Sequence, residues 1–198
     1  MTVPYDLTIP GWMTKTELEA ISEIAQALKP WRVLELGAFA GRSAVCWAKN
    51  LPASQITCVD PWFPDRIADV WWMSDDKYVW CPFTAEEKKR SLYSVFLEKT
   101  HPYPNIDHYR MFSGQFAEIS ARLDLKYDLI FIDGDHSPQG FQNDLDIVLG
   151  MLQLGGAVAM HDWRNPELAH MTPIFEAWNE KHGRVIKEFP DTTIAYSI

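Results

Sequence analysis

Apolar positions along this chain change period repeatedly, from the spacing of an amphipathic helix to the unbroken runs of a buried strand. Leu18, Ile21, Ile24, Ala25 and Leu28 recur at helical spacing and predict a helix over residues 15–29, stopped by Pro30. Residues 31–36 then read as a strand, 42–49 as a helix, and 55–60 as a second strand closed by Pro61. Thr84 and Glu87 form a capping-box pattern that predicts a helix to Lys99, with Leu92, Val95 and Phe96 inward. Residues 108–112 predict a strand, Ser113-Gly114 a turn and 115–123 a helix, and the apolar run 127–133 is the clearest strand in the chain. Pro138 opens a helix to Leu152 with Phe141, Leu145, Val148 and Leu149 on its inner face, and Gly155-Gly156 ends that connection. A short strand follows at 157–160. Thr172 and Pro173 fit the N-cap and first position of a helix to His182, and 185–189 with 192–197 read as a terminal antiparallel hairpin around Pro190-Asp191.

Strands alternating with helices predict an α/β fold with a doubly wound, mainly parallel sheet of seven strands, ending in the antiparallel hairpin. In such a sheet ligands bind beyond the carboxyl ends of the strands. Glu35, Asp60, Asp133 and Asp162 all fall at or beside those ends.

With 198 residues, 47% of them hydrophobic, the chain is long enough for one full core, so residues 1–198 are expected to form a single domain. It has no apolar run of about 18 residues and its first residues lack a signal-peptide pattern, so a soluble, cytoplasmic protein is expected. Cys46, Cys58 and Cys81 show no paired metal spacing and read as buried thiols. A net charge of −9 argues against nucleic-acid and anionic-membrane partners, which require basic patches. Small molecules or another protein, a second copy of the chain included, are left as ligands.

The most informative stretch is residues 33–43, where a strand carrying Glu35 breaks into a turn with Gly37, Ala38, Gly41 and Ser43. The spacing is Glu-x-Gly-x-x-x-Gly. A dinucleotide fingerprint places its second glycine where this chain has Phe39, so a ligand without a pyrophosphate is favoured and a nicotinamide oxidoreductase is not.

This motif, Asp60, the segment 127–136 (YDLIFIDGDH) and the segment 154–162 (LGGAVAMHD) together resemble class I S-adenosylmethionine-dependent methyltransferases. Within that superfamily they are most similar to the small branch of catechol O-methyltransferase-like and antibiotic-sugar O-methyltransferases, and the likeness covers about residues 15–60 and 105–197. The resemblance implies a Rossmann-like fold. It implies a cofactor site in which Glu35 and Gly37, with Ala38, Gly41 and Ser43 of the same turn, face the methionine end. Asp60 accepts the ribose hydroxyls, Ser113 and Gly114 lie near the adenine, and Asp133 borders the pocket.

The resemblance also implies chemistry at the ends of the fourth and fifth strands. Asp133, His161 and Asp162 match the positions at which metal-dependent relatives bind a divalent cation, which would lower the pKa of a substrate hydroxyl and aim its oxygen at the sulfonium methyl. Relatives usually offer oxygens at the fifth strand, so His161 departs from a magnesium site and tilts preference toward manganese, iron or zinc. Asp135, His136 or His161 would serve the proton transfer. A metal-free reading stands beside this one: the acids cap the helix at Pro138, and His161-Asp162 is a hydrogen-bonded pair supporting the pocket. The expected function is methyl transfer from S-adenosylmethionine to a small acceptor, foremost to a hydroxyl oxygen. The alternatives are metal-free transfer to nitrogen or another acceptor, and a catalytically idle cofactor-binding scaffold.

Residues 61–83 carry Trp62, Phe63, Trp71, Trp72, Tyr78, Trp80 and Phe83 and read as an aromatic-rich insertion. Two readings are open: a lid that recognises an aromatic or sugar-like acceptor, to which Gly11-Trp12-Met13 is a candidate addition, or an aromatic interface or satellite core. His101, His108, His170 and His182 are expected at the surface or at helix ends.

Overall fold

The computed structural model describes residues 4–75 and 82–198. Seven strands, β1 (Arg32–Leu36), β2 (Gln55–Asp60), β3 (Ile106–Arg110), β4 (Tyr127–Ile132), β5 (Leu152–Met160), β6 (Ile186–Glu188) and β7 (Ala195–Ser197), form one sheet in the order β3-β2-β1-β4-β5-β7-β6. The first five are parallel, and β7 runs antiparallel to both β5 and β6. This is the expected doubly wound α/β architecture. The order reverses between β1 and β4, which opens a crevice at their carboxyl ends where ligands of such sheets bind.

Helices cover both faces: α1 (Lys15–Leu28), α2 (Arg42–Asn50), the short α3 (Trp71–Ser74), α4 (Leu92–Thr100), α5 (Ser113–Leu123), α6 (Pro138–Met151) and α7 (Met171–Lys181). One core packs Trp47, Phe96, Phe131 and Trp62 among α1, α2, α4 and the sheet. The other packs Phe116, Phe141 and Phe175 among α5, α6, α7 and the opposite sheet face. Each such side chain contributes about 1.5–3 kcal/mol by leaving water. Among the described residues no helix is long and apolar enough to cross a membrane.

Five boundaries differ from the sequence expectation. The Thr84–Glu87 capping pattern is real, with Thr84 N–H donating to Glu87 Oε2 at 2.8 Å, but it caps only a single 3-10 turn. The chain becomes extended at Arg90 and restarts as α4 with Ser91 as N-cap, its hydroxyl accepting from the Ser94 N–H. Ser113 and Gly114 form the first turn of α5 instead of preceding it, and β3 sits two residues earlier than predicted, at Ile106–Arg110. Gly155-Gly156 lies inside β5, which extends back to Leu152. Gly155 has φ +76°, and the pairing with β4 shifts register between Tyr127 and Leu129, so the glycines serve an irregularity within the strand. Helix α7 begins at Met171, so Pro173 occupies its third position, and Thr172 is not the cap: its hydroxyl accepts the Arg164 N–H. Proline is tolerated there because the first-turn N–H groups have no helical partner.

Candidate functional site

The glycine turn is built from three strand ends at once. Gly37 has φ +88° and its N–H donates to the Val59 carbonyl. A Cβ at this position would lie 2.0 Å from the Asp133 carbonyl oxygen, so the bare backbone is required by the closeness of β4, not by a ligand alone. Gly41 has φ +93° and caps α2, and a Cβ there would meet Thr100 at 2.9 Å and Phe96 at 3.3 Å. The second glycine therefore lets α2 lie against α4.

Glu35 is wholly enclosed beneath this turn. Burial pushes its carboxyl up to about 8, partly countered by a hydrogen bond from Ser43, while Cys58 Sγ donates to Oε2 at 3.6 Å. Its Oε1 is buried without a hydrogen-bond partner. Asp60 holds the outer side of the turn: Oδ2 accepts the Ala38 and Phe39 N–H groups, both at 3.0 Å, and Oδ1 accepts the Trp62 N–H at 2.6 Å. Burial still raises its carboxyl above the usual range.

At the ends of β4 and β5 the side chains of Asp133, His136 and Asp162 converge, their ligand atoms all within 4.8 Å of one another. His136 Nε2 lies 3.4 Å from Asp133 Oδ1 and 3.2 Å from Asp162 Oδ2. His161 stands behind them with Nδ1 3.1 Å from Asp133 Oδ1 and 3.2 Å from Asp162 Oδ2, and its Nε2 faces Glu17 Oε1 at 3.4 Å. Burial opposes a charged imidazole, yet the three carboxylates carry His161 well above its usual range. His136 is raised in the same way, burial being outweighed chiefly by Asp133, and Asp133 is lowered against burial by the two imidazoles. With both ring nitrogens turned to carboxylates, His161 is a buried counter-charge. The donor set the structure draws together thus contains His136 in the place expected for His161. His136 and the two carboxylates fit a divalent cation, and the half-exposed His136 leaves an open side.

Asp135 is not part of this cluster. It is exposed, and its Oδ1 accepts the Ser137 N–H at 2.9 Å, directing it onto the start of α6. Ser113, by contrast, reaches across to α6 and donates from Oγ to Asp144 Oδ1 at 2.6 Å. A Cβ on Gly114 would meet nothing within 4 Å, so the space beside the first turn of α5 is open at this residue.

Several participants carry no recognisable motif. Glu17 is the N3 acid of the α1 capping box and also accepts from Thr193 Oγ1 at 2.5 Å, tying α1, the β6–β7 loop and His161 together. Only its capping spacing after Thr14 was visible in the sequence. Buried Arg42 donates Nε to the Ile9 carbonyl at 2.7 Å and Nη1 to that of Met13 at 2.5 Å, which anchors the N-terminal segment. That segment brings Trp12 to 4.6 Å from Phe39, and Phe39 meets Phe83 at 5.5 Å.

The aromatic residues of the segment 61–83 divide. Trp62 is core, its ring 4.4 Å from that of Phe96 in a tilted contact and its Nε1 donating to the Phe39 carbonyl, and Phe83 is buried, whereas Phe63 and Trp71 are exposed. Tyr78, Trp80, Cys81 and the Trp72 side chain lie outside the described residues. Cys46 and Cys58 are buried free thiols, as expected. His101 and His182 are helix C-caps, but His108 is half-buried against Trp62 and Phe96, with Nε2 2.8 Å from the Tyr93 hydroxyl. His170 also stands at a helix end, as the N-cap residue of α7, with its Nε2 2.7 Å from the His136 carbonyl.

The fold is shared with solved methyltransferases. An O-methyltransferase from Bacillus cereus in complex with S-adenosylhomocysteine superposes with a TM-score of 0.62 at 12% identity, covering 94% of this chain and 82% of that one. An S-adenosylhomocysteine-bound methyltransferase from Podospora anserina gives 0.59 at 14% identity, covering 94% and 79%. No functionally curated protein matches the chain in sequence. A methyltransferase-domain family model matches residues 34–163, from the glycine turn through the His161-Asp162 pair. Spanning well over half of the chain, that match shows that the protein belongs to the methyltransferase-domain family, on the class I S-adenosylmethionine-dependent fold.

Proposed function

We propose that this protein transfers the methyl group of S-adenosylmethionine to a hydroxyl oxygen of a small molecule, in the manner of the catechol and antibiotic-sugar O-methyltransferase branch. The observation that carries the acceptor side is the Asp133, His136 and Asp162 cluster beside the glycine turn. The donor side rests on the orphaned Glu35 Oε1 under the turn, the carboxylate of Asp60 at the end of β2 and the open face of α5 at Gly114.

In this reading Gly37, Ala38, Gly41 and Ser43 shape the methionine side over Glu35, and Asp60 receives the ribose. Ser113 and Gly114 border the adenine. Asp133, His136 and Asp162 would hold a divalent cation, which when bound would acidify and orient the acceptor hydroxyl. An imidazole donor favours manganese, iron or zinc over magnesium. His161 keeps the two carboxylates fixed; in the metal-free form of this reading His136, half-exposed at the mouth, takes the acceptor proton instead of holding a cation. The aromatic contacts of Trp12, Phe39 and Phe83 support an acceptor with a flat aromatic or sugar face. Transfer of a labelled methyl group from S-adenosylmethionine to a panel of hydroxyl-bearing compounds, with and without chelator, tests this. Labelled product from hydroxyl acceptors supports it; product only from amines contradicts it.

A further inference from the structure

Asp144 is a buried acid that pairs with no cation among the described residues. It lies on the inner side of α6, 4% exposed, and burial raises its carboxyl to about 6, with Asp135 adding to the rise and a hydrogen bond from Ser113 opposing it. A buried carboxylate with one neutral donor is costly, and it adds little to packing that an apolar residue would not supply. Its position is specific. Oδ1 takes the Ser113 hydroxyl proton at 2.6 Å, and Oδ2 lies 3.1 Å from where a Cβ on Gly134 would stand, so the carboxylate bridges the first turn of α5 and the end of β4.

An ionised carboxylate can only accept. The Ser113 proton is therefore committed to Asp144, and the hydroxyl can present only lone pairs to a ligand beside it. One residue on, Gly114 is in the first helical turn, where the N–H groups have no helical acceptor. An acceptor beside a donor complements a 6-aminopurine, whose exocyclic amine donates and whose N1 accepts. A 6-oxopurine presents the reverse pattern on the same edge.

We propose that Asp144 is a positioning residue for donor selection, locking the Ser113 hydroxyl as an acceptor so that the site takes a 6-amino and refuses a 6-oxo purine. This rests on the reading that Ser113 and Gly114 border the base of the methyl donor. Titration calorimetry with S-adenosylhomocysteine and S-inosylhomocysteine tests it on the whole protein. The adenosyl compound is expected to bind ~100-fold more tightly, the inosyl compound leaving two polar groups mismatched. In Asp144→Asn the amide can donate to Ser113 and free its proton for the ligand, so the preference shrinks to about fivefold or less. Ser113→Ala, which deletes the oriented hydroxyl without touching α6, shrinks it similarly. A wild-type protein that binds both compounds equally, or an Asp144→Asn protein that keeps full discrimination, overturns the assignment. Failure of S-adenosylhomocysteine itself to bind is a different result and removes the donor reading beneath it.

Discussion

Glu17 in the first turn of α1 faces His161 at the end of β5 across 3.4 Å, although the two are far apart in sequence. The contact links the amino end of the chain to the acid cluster, because His161 also touches Asp133 and Asp162. Burial works to raise the Glu17 carboxyl, but His161, Thr193 and Thr14 together hold it down to about 2, below its ordinary 4.5. A carboxyl held low stabilises the fold fully above its unfolded value and loses that contribution as pH falls toward the folded one. Glu17→Ala should cost ~3 kcal/mol at pH 7 by leaving a buried imidazolium short of a partner. In urea denaturation its deficit should narrow between pH 4.5 and about 2. A deficit that is the same at both ends would deny the pairing.

Glu35 has the opposite linkage. Its folded value of about 8 exceeds the unfolded 4.5, so the native state keeps a proton that the unfolded chain releases, and wild-type stability falls as pH rises through that window. Glu35→Gln has no proton to lose. Relative to wild type it should gain ~3 kcal/mol on going from pH 5 to pH 8, somewhat less than the full 1.4 kcal/mol per unit. Parallel pH profiles for the two proteins would show that Glu35 is already ionised.

The two glycines of the turn should not be equivalent. Gly37→Ala drives a methyl group into the backbone of Asp133 and should cost ~3 kcal/mol or more, with loss of donor binding. Gly41→Ala meets the ends of two side chains on α4, which can yield, and should cost ~1–2 kcal/mol, mostly from the left-handed backbone. Thermal unfolding of both variants distinguishes them; equal losses would mean that the approach of β4 to the turn is looser than the geometry indicates.

Asp133 and Asp135 should separate function from capping. Asp133→Ala removes a contact of both His136 and His161 and should lower methyl transfer ~100-fold or more. Asp135→Ala removes the acceptor for the Ser137 N–H, with a stability cost of ~1 kcal/mol and transfer within about threefold of wild type. A large activity loss in Asp135→Ala would return that acid to the reaction.

The strand-helix alternation, the strand-end acids and the glycine turn were legible because each is a local pattern with a physical cause. Long apolar runs such as Tyr127–Ile132 can only be buried strands in a sheet covered on both faces, and Gly37 and Gly41 flag a backbone that other residues resist. What the sequence concealed was set by tertiary contact. Glu17 looks like an ordinary capping acid until His161 arrives beside it, and Asp144 like one more helical acid until Ser113 reaches it. The helix expected from Thr84 to Lys99 broke because Ser91 supplied a second N-cap within the window. For Trp62 the sequence left a lid and a satellite core both open, and it is core because Tyr93, Phe96 and His108 form a pocket drawn from distant segments. Spacing alone also could not choose between His136 and His161, which differ in which faces of their rings the fold turns to carboxylates.

Isothermal titration of the purified protein with S-adenosylmethionine, S-adenosylhomocysteine and NAD reads the central claim most directly. Saturable one-to-one binding of both sulfur nucleosides, and none of NAD, is the predicted result. Binding of NAD with neither sulfur nucleoside bound would contradict the account.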